Sequence, residues 1–201
     1  GIFGDGKELP QLAMNHFFKK GDFRSGYYRD QTLLMAQGLL TVSNIFSALY
    51  ADLDLDREPM SGGRQMGGHF MTPSRDESGE WLNLMELKNH SGDISPTGSQ
   101  MPRLLGLAQA SKIYRNLKTK NAKNFSNNGN EIAWGTIGNA STSEGMFFET
   151  INAAGVLQVP MVISVWDDGY GISVENKQHT VKESISAALE GFRASEESNG
   201  I

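Results

Sequence analysis

Cysteine is absent from the 201-residue chain, which excludes a disulfide framework and thiol-based catalysis. That absence agrees with a cytoplasmic protein, the expected location. No apolar run approaches the length of a membrane-crossing helix, and no secretion signal is recognisable. Basic residues are neither abundant nor clustered: 18 Lys and Arg stand against 23 Asp and Glu, a formal net charge of −5. This balance argues against nucleic acid or an anionic membrane as the main partner. Internal repeats, linkers and low-complexity blocks are missing too, so one domain with a real core is expected over residues 1–201. The chain starts without methionine and stops at Asn199-Gly200-Ile201 in mid-pattern, and it is expected to be part of something longer.

What is present concentrates between Ile132 and Ser173. Ile132, Ala133, Trp134, Thr136 and Ile137 form a short apolar run suited to a buried strand. Gly138-Asn139-Ala140 turns the chain, and Ser141 with Glu144 three residues later has the pattern of a capping box. A helix is therefore expected from about Thr142 to Val156. A second apolar run, Met161 to Trp166, ends in Asp167-Asp168-Gly169. Two parallel strands joined by one helix bring their C-terminal ends side by side, where open α/β sheets bind ligands. Asn139, Asp168 and the Tyr170 backbone carbonyl would there form a hard-oxygen set suited to magnesium and a diphosphate. Amides at the helix start, around Gly138, Ala140 and Ser141, suit the phosphate itself. Asn and Asp are also ordinary turn residues, and spacing alone leaves both readings open.

This stretch resembles the thiamine diphosphate motif. In particular, STSEGMFFETINAA followed by DDGYGIS is similar to the α chain of 2-oxo acid dehydrogenases, their decarboxylating component. That family has a Gly-(Asp/Glu)-Gly turn, a Ser-Glu-Gly, and then Asn-Asn-Gly-Tyr-x-Ile-Ser. Here Asn139 stands in the acidic turn and Asp167-Asp168 replace the two asparagines, so acid and amide have exchanged places. The ligand set keeps one negative charge. Some members carry an arginine just before Asn-Asn; Trp166 stands there and cannot neutralise a phosphate.

The resemblance extends over most of the chain. Tyr28-Arg29 matches a Tyr-Arg pair that approaches the cofactor diphosphate, a guanidinium giving bidentate contact and a phenol one more donor. Taken alone, Tyr-Tyr-Arg-Asp reads as a surface turn with an ion pair. Gln31 stands as in bacterial branched-chain members, which implies a role toward the substrate. Gly62 to Phe70 is glycine-dense and resembles a Gly-Arg-Gln-Met-x-x-His segment near the active-site entrance. His69 is then either a proton-transfer and substrate-binding group or a structural loop histidine. Ser95 and Thr97 match cofactor positions in a Ser-Pro-x-x-Thr-Gln segment, where Ser99 keeps a hydroxyl and Gln100 the amide. In some members these oxygens also bind potassium. His90 and His179 carry no pattern and are given no role.

Between these motifs the expectations are plainer. Leu9, Leu12, Ala13, His16 and Phe17 have helical spacing over 8–20, with His16 packing on the apolar face. One long apolar helix is expected over Thr32–Tyr50, a solvated acidic turn over Asp52–Glu58 and an inserted loop over Thr72–Asp93. A helix carrying Leu104, Leu105, Ala108, Ile113 and Leu117 should follow Pro102, and a last helix should run from Val181 to Ala194. The resulting expectation is an α/β thiamine diphosphate-binding fold, with a largely parallel sheet and helices on both faces. The resemblance implies oxidative decarboxylation of a branched-chain 2-oxo acid such as 2-oxoisovalerate, with thiamine diphosphate and magnesium. It also implies a β subunit or fused β portion that completes a heterotetramer, and a lipoyl-bearing acyltransferase that takes the acyl group. Pyruvate- or acetoin-type enzymes, a transketolase-like half-enzyme and a non-catalytic subunit with an altered metal site are the alternatives.

Overall fold

The computed structural model describes residues 4–65, 68–117 and 119–201. Its elements are α1 (Glu8–Phe17), β1 (Phe23–Ser25), α2 (Gln31–Ala36), α3 (Val42–Leu49), β2 (Asn89–Ser91), α4 (Gln100–Tyr114) and α5 (Ala122–Phe125). Then come β3 (Ala133–Gly138), α6 (Gly145–Leu157), β4 (Met161–Trp166), a small hairpin β5 (Tyr170–Gly171) and β6 (Val174–Glu175), and α7 (Ile185–Ala188). Four strands form one parallel sheet in the order β2-β1-β3-β4. β1 is followed outward by β2 on one side and flanked by β3 on the other, so the order reverses between β1 and β3. That reversal is a topological switch point.

The alternation of side chains along β3 assigns helices to the two faces. Ala133 and Ile137 pack with Met101, Leu104, Phe147 and Ile151 of α4 and α6. Gly135 lies on the same face, where a Cβ would come within 2.3 Å of Leu104 Cδ2, so only glycine lets α4 lie this close. Trp134 faces the other way, against Met14, Phe18 and Leu33 of the α1–α2 side. The expected α/β architecture, parallel with helices on both faces, is therefore the one observed. Among the described residues no helix is long and apolar enough to cross a membrane.

Several local expectations fail for identifiable reasons. The helix over Thr32–Tyr50 is two helices: Gly38 takes φ +72°, and a Thr41–Asn44 capping box starts α3 afresh. On α1 the buried residues are Gln11 and Met14, whereas Leu9, Leu12, His16 and Phe17 are exposed. Glu58 is not solvated; it is fully buried and accepts from the N–H groups of Met60, Ser61 and Gly63, which shapes the glycine loop ahead of His69. The inserted loop is in part structural, since β2 lies inside it. In α4 the buried positions are Gln100, Met101, Leu104, Ala108 and Ser111, while Ile113, and Leu117 beyond the helix end, are exposed. No Ser141 side-chain cap forms; Ala140–Ser143 winds as a 3₁₀ turn pinned by Thr142 Oγ1 on Asn139 O at 2.6 Å, so α6 begins only at Gly145. The single last helix is instead three short turns, interrupted by Lys182 and Glu183 at positive φ.

Candidate functional site

All four parallel strands end on the same side, and most of the residues singled out from the sequence follow them. Gly26-Tyr27-Tyr28-Arg29 follows β1, and Asp93 to Thr97 follows β2. Asn139-Ala140-Ser141 follows β3, and Asp167 to Tyr170 follows β4. Residues from each of these four segments line a cleft of about 500 Å³. Its walls include Tyr28, Arg29, Thr97, Gly138, Asn139, Ala140, Ser141, Asp168 and Tyr170 from the sequence reading. Lys7, Tyr27 and Glu144 line it as well and were not foreseen. A small annex shares Tyr28, Thr97 and Ser141 and is closed by Ser95.

The Tyr-Arg loop is held from below. Arg24 is fully buried on β1 and pairs with Asp30, and with Asp93 at 2.6 Å. Asp30 therefore pairs with Arg24, on a different element from its own loop, and also accepts from Thr136 Oγ1 at 2.6 Å. A Cβ at position 26 would meet Arg24 Nη1 at 1.8 Å and Asp30 Oδ2 at 1.9 Å, so glycine is required there. Burial weakens the Arg24 guanidinium, but Asp93 and Asp30 outweigh it and leave its pKa above the ordinary value. Burial, reinforced by Asp93 against the pull of Arg24, pushes the Asp30 carboxyl up to about 6. His90 accepts from Arg24 Nε at 2.9 Å and reaches Gln37 Oε1 at 2.7 Å, which makes it the neutral Nε2–H tautomer. Burial and then Arg24 push its pKa down to about 2. His90 is a structural member of this network.

Above the network, the Arg29 guanidinium lies 4.9 Å from the Tyr28 ring centroid and donates to its hydroxyl at 3.3 Å. Gln11, fully buried on α1, donates to Arg29 O at 3.1 Å and accepts from Leu33 N–H at 2.9 Å. The Tyr27 hydroxyl is buried at the cleft floor, and makes no hydrogen bond of good geometry among the described residues. Burial, then Asp30, raises its pKa. A ligand oxygen in the cleft would be a well-placed acceptor for that hydroxyl.

At the β3–β4 rim, Asn139 is buried and donates through Nδ2 to Asn176 Oδ1 at 2.6 Å. Asn176 donates in turn to Asp167 at 3.0 Å. Asp168 accepts from Tyr170 N–H at 3.1 Å and from Lys7 Nζ at 2.7 Å. Its pKa lies below the usual carboxylate range: partial burial opposes the shift, and the Lys7 hydrogen bond and the Tyr170 N–H overcome it. A cation already rests on Asp168, and Asn139 and Tyr170 line the same cleft, so the donor chemistry suits a hard divalent ion.

A match to the dehydrogenase E1 component family covers residues 2–195. The chain belongs to that family. It is also 28% identical, over 188 residues, to the 2-oxoisovalerate dehydrogenase subunit alpha of Bacillus subtilis (strain 168). The alignment takes in 93% of this chain and 48% of the relative, so the chain spans about half the relative's length.

The remaining predicted residues of this E1 chain divide into two groups. His69 Nε2 is hydrogen-bonded to Ser95 Oγ, which joins the glycine loop to the loop after β2. Met66 and Gly67 of that glycine loop lie outside the described residues. Gln31 is buried in the first turn of α2 and lies outside the cleft lining. Gln100 is buried too, its amide donating to Thr136 O at 3.0 Å. Gln11, Lys7 and Asn176 had no sequence signal, because the contacts that place them in the site run to Arg29, Asp168 and Asn139, far away in the chain.

Proposed function

We propose that this E1 chain is the α portion of the decarboxylating component of a 2-oxo acid dehydrogenase. On this reading it binds thiamine diphosphate with magnesium, acts on a branched-chain 2-oxo acid, and passes the acyl group to a lipoyl-bearing acyltransferase. The observation that carries the reading is the convergence of Tyr28, Arg29, Asn139, Ser141, Asp168 and Tyr170 on one cleft at the sheet's switch point. The branched-chain preference rests on the Bacillus subtilis relative and on the Tyr-Arg-x-Gln-x-x-Leu-Met segment, Tyr28 to Met35.

Bound thiamine diphosphate would supply a nucleophilic carbon and an electron sink for decarboxylation. The chain's own residues bind and orient. Arg29 and the tyrosine hydroxyls offer donors to diphosphate oxygens, and Asn139, Asp168 and the Tyr170 carbonyl would hold the metal that neutralises them. Ser95 and Thr97 close the annex beside the cleft, and His69 keeps the Ser95 hydroxyl oriented while standing ready to exchange a proton with substrate. A potassium ion at the Ser95–Gln100 turn remains a part of the reading that the family resemblance brings. A β portion is expected to complete the site, so the chain alone should not turn over substrate.

Calorimetry of thiamine diphosphate with magnesium, on the chain assembled with a β partner, tests this function. Binding should require the metal and weaken in both Asn139→Ala and Asp168→Ala. Absence of binding by the wild-type assembly would leave a non-catalytic subunit as the better account.

A further inference from the structure

We propose that Lys7 is a resident cation at the metal position of this cleft: its ammonium holds Asp168 until a divalent ion arrives, and the ion binds by displacing it. The inference rests on the metal reading above and adds a residue from the opposite end of the chain, 161 positions from its partner.

Three observations place Lys7 in the site and not among casual surface lysines. Its ammonium stands 2.7 Å from Asp168 Oδ2, and its side chain is only 16% exposed, against 51% for the aspartate. Its backbone is tied down, the N–H donating to Gly4 O at 2.9 Å and the carbonyl accepting from Gln11 Nε2 at 3.0 Å. That same Gln11 amide donates to Arg29 O, so one buried side chain sets both cations of the cleft wall. Finally, Lys7 and Arg29 are the basic residues among those lining the cleft, and Lys7 is the one that meets the Asp167-Asp168 turn.

Charge then dictates exchange. Of the three expected donors only Asp168 is anionic; Asn139 and the Tyr170 carbonyl are neutral. Asp167 is committed to Asn176, and Glu144 is the other carboxylate on the cleft lining. Asp168 Oδ2 holds the ammonium and Oδ1 accepts from Tyr170 N–H, so an ion that takes Oδ2 competes with Lys7, and the two cations repel at close range. Metal entry at that oxygen therefore releases Lys7. The released ammonium sits on the same wall as Arg29, where a diphosphate would receive it. Lys7 thus disfavours metal alone and favours metal together with the anion.

The test is Mn²⁺ binding followed by electron paramagnetic resonance on the full protein in its assembly, with and without thiamine diphosphate. Lys7→Met should tighten Mn²⁺ alone by about twofold to fivefold, the worth of a partly screened ion pair, and should shrink the gain on adding thiamine diphosphate. Lys7→Arg keeps the charge and should stay near wild type, which separates competition from a folding defect. Unchanged or weaker Mn²⁺ binding by Lys7→Met, with thiamine diphosphate-dependent binding intact in wild type, overturns the Lys7 inference alone. Failure of wild type and variant to bind Mn²⁺ under either condition overturns the metal reading and this inference together.

Discussion

The side-chain amide of Asn139 donates to Oδ1 of Asn176, and the amide of Asn176 donates to both oxygens of Asp167, at 3.0 and 3.2 Å. The direction of this relay is forced. A carboxylate only accepts, so Asn176 must present its NH₂ to Asp167 and its oxygen to Asn139. Asn139 must then give its own NH₂ to Asn176 and keep Oδ1 uncommitted. A carboxylate in the turn would need no such arrangement, because both of its oxygens are alike. An amide has two unlike ends, so something must decide which end faces the cleft. The first of the two aspartates does so through Asn176.

Asn176→Ala removes the middle of the relay. Divalent-metal affinity should fall about tenfold, the usual effect of losing a group that orients a ligand. Asp167→Ala should do the same, and the double variant should be no worse than either alone. Additive losses, measured by metal titration, would show that the two residues act separately.

Gln11 is the second such fastener. Its replacement by Ala leaves the buried Leu33 N–H without its partner and takes a side-chain donor from the carbonyls of Lys7 and Arg29. A stability loss of about 2–4 kcal/mol in denaturant unfolding is expected. Thiamine diphosphate affinity should weaken more than it does for a core variant of equal stability loss, such as Ile151→Val combined with Ala154→Gly, because Lys7 and Arg29 both shift.

The buried trio of Arg24, Asp30 and Asp93 makes a pH prediction. One guanidinium faces two carboxylates, and the neutral His90 adds no charge. The Asp30 carboxyl is raised from an ordinary 3.8 to about 6, first by burial and then by Asp93. A proton held more tightly by the folded state stabilises fully below the ordinary value, and that contribution is lost as pH rises through about 6. Asp30→Asn abolishes the titration. Between about pH 4 and 7 the wild type should therefore lose stability relative to Asp30→Asn, measured as the difference in denaturant midpoints at each pH. A flat difference would contradict the raised value.

Much of the site was legible because its residues are spoken for locally. Met161–Trp166 reads as a strand and is one, and β3 lies within one residue of its expected place. Each turn that leaves the sheet announces itself through Gly, Asn, Asp or Ser. The strands β1 and β2 were not legible, since three residues carry no period and their central residues, Arg24 and His90, are polar. They are strands because β3 and each other supply hydrogen-bonding edges. The face of α1 was misread for a related reason: Gln11 is buried because it bonds three backbone groups, while Leu9 and Phe17 find nothing among the described residues to cover them.

Local residue order by itself determined the β3–α6–β4 unit, the α/β class and the chemistry at the ends of its strands, because turn and strand preferences act over a few neighbouring residues. The tertiary structure alone decided that Lys7 reaches Asp168, that Asp167 orients Asn139 through Asn176, and that Arg24 anchors the Tyr-Arg loop. Those contacts depend on how parallel strands and their loops are stacked, and burial makes each unpaired polar group costly enough that a distant partner must be found.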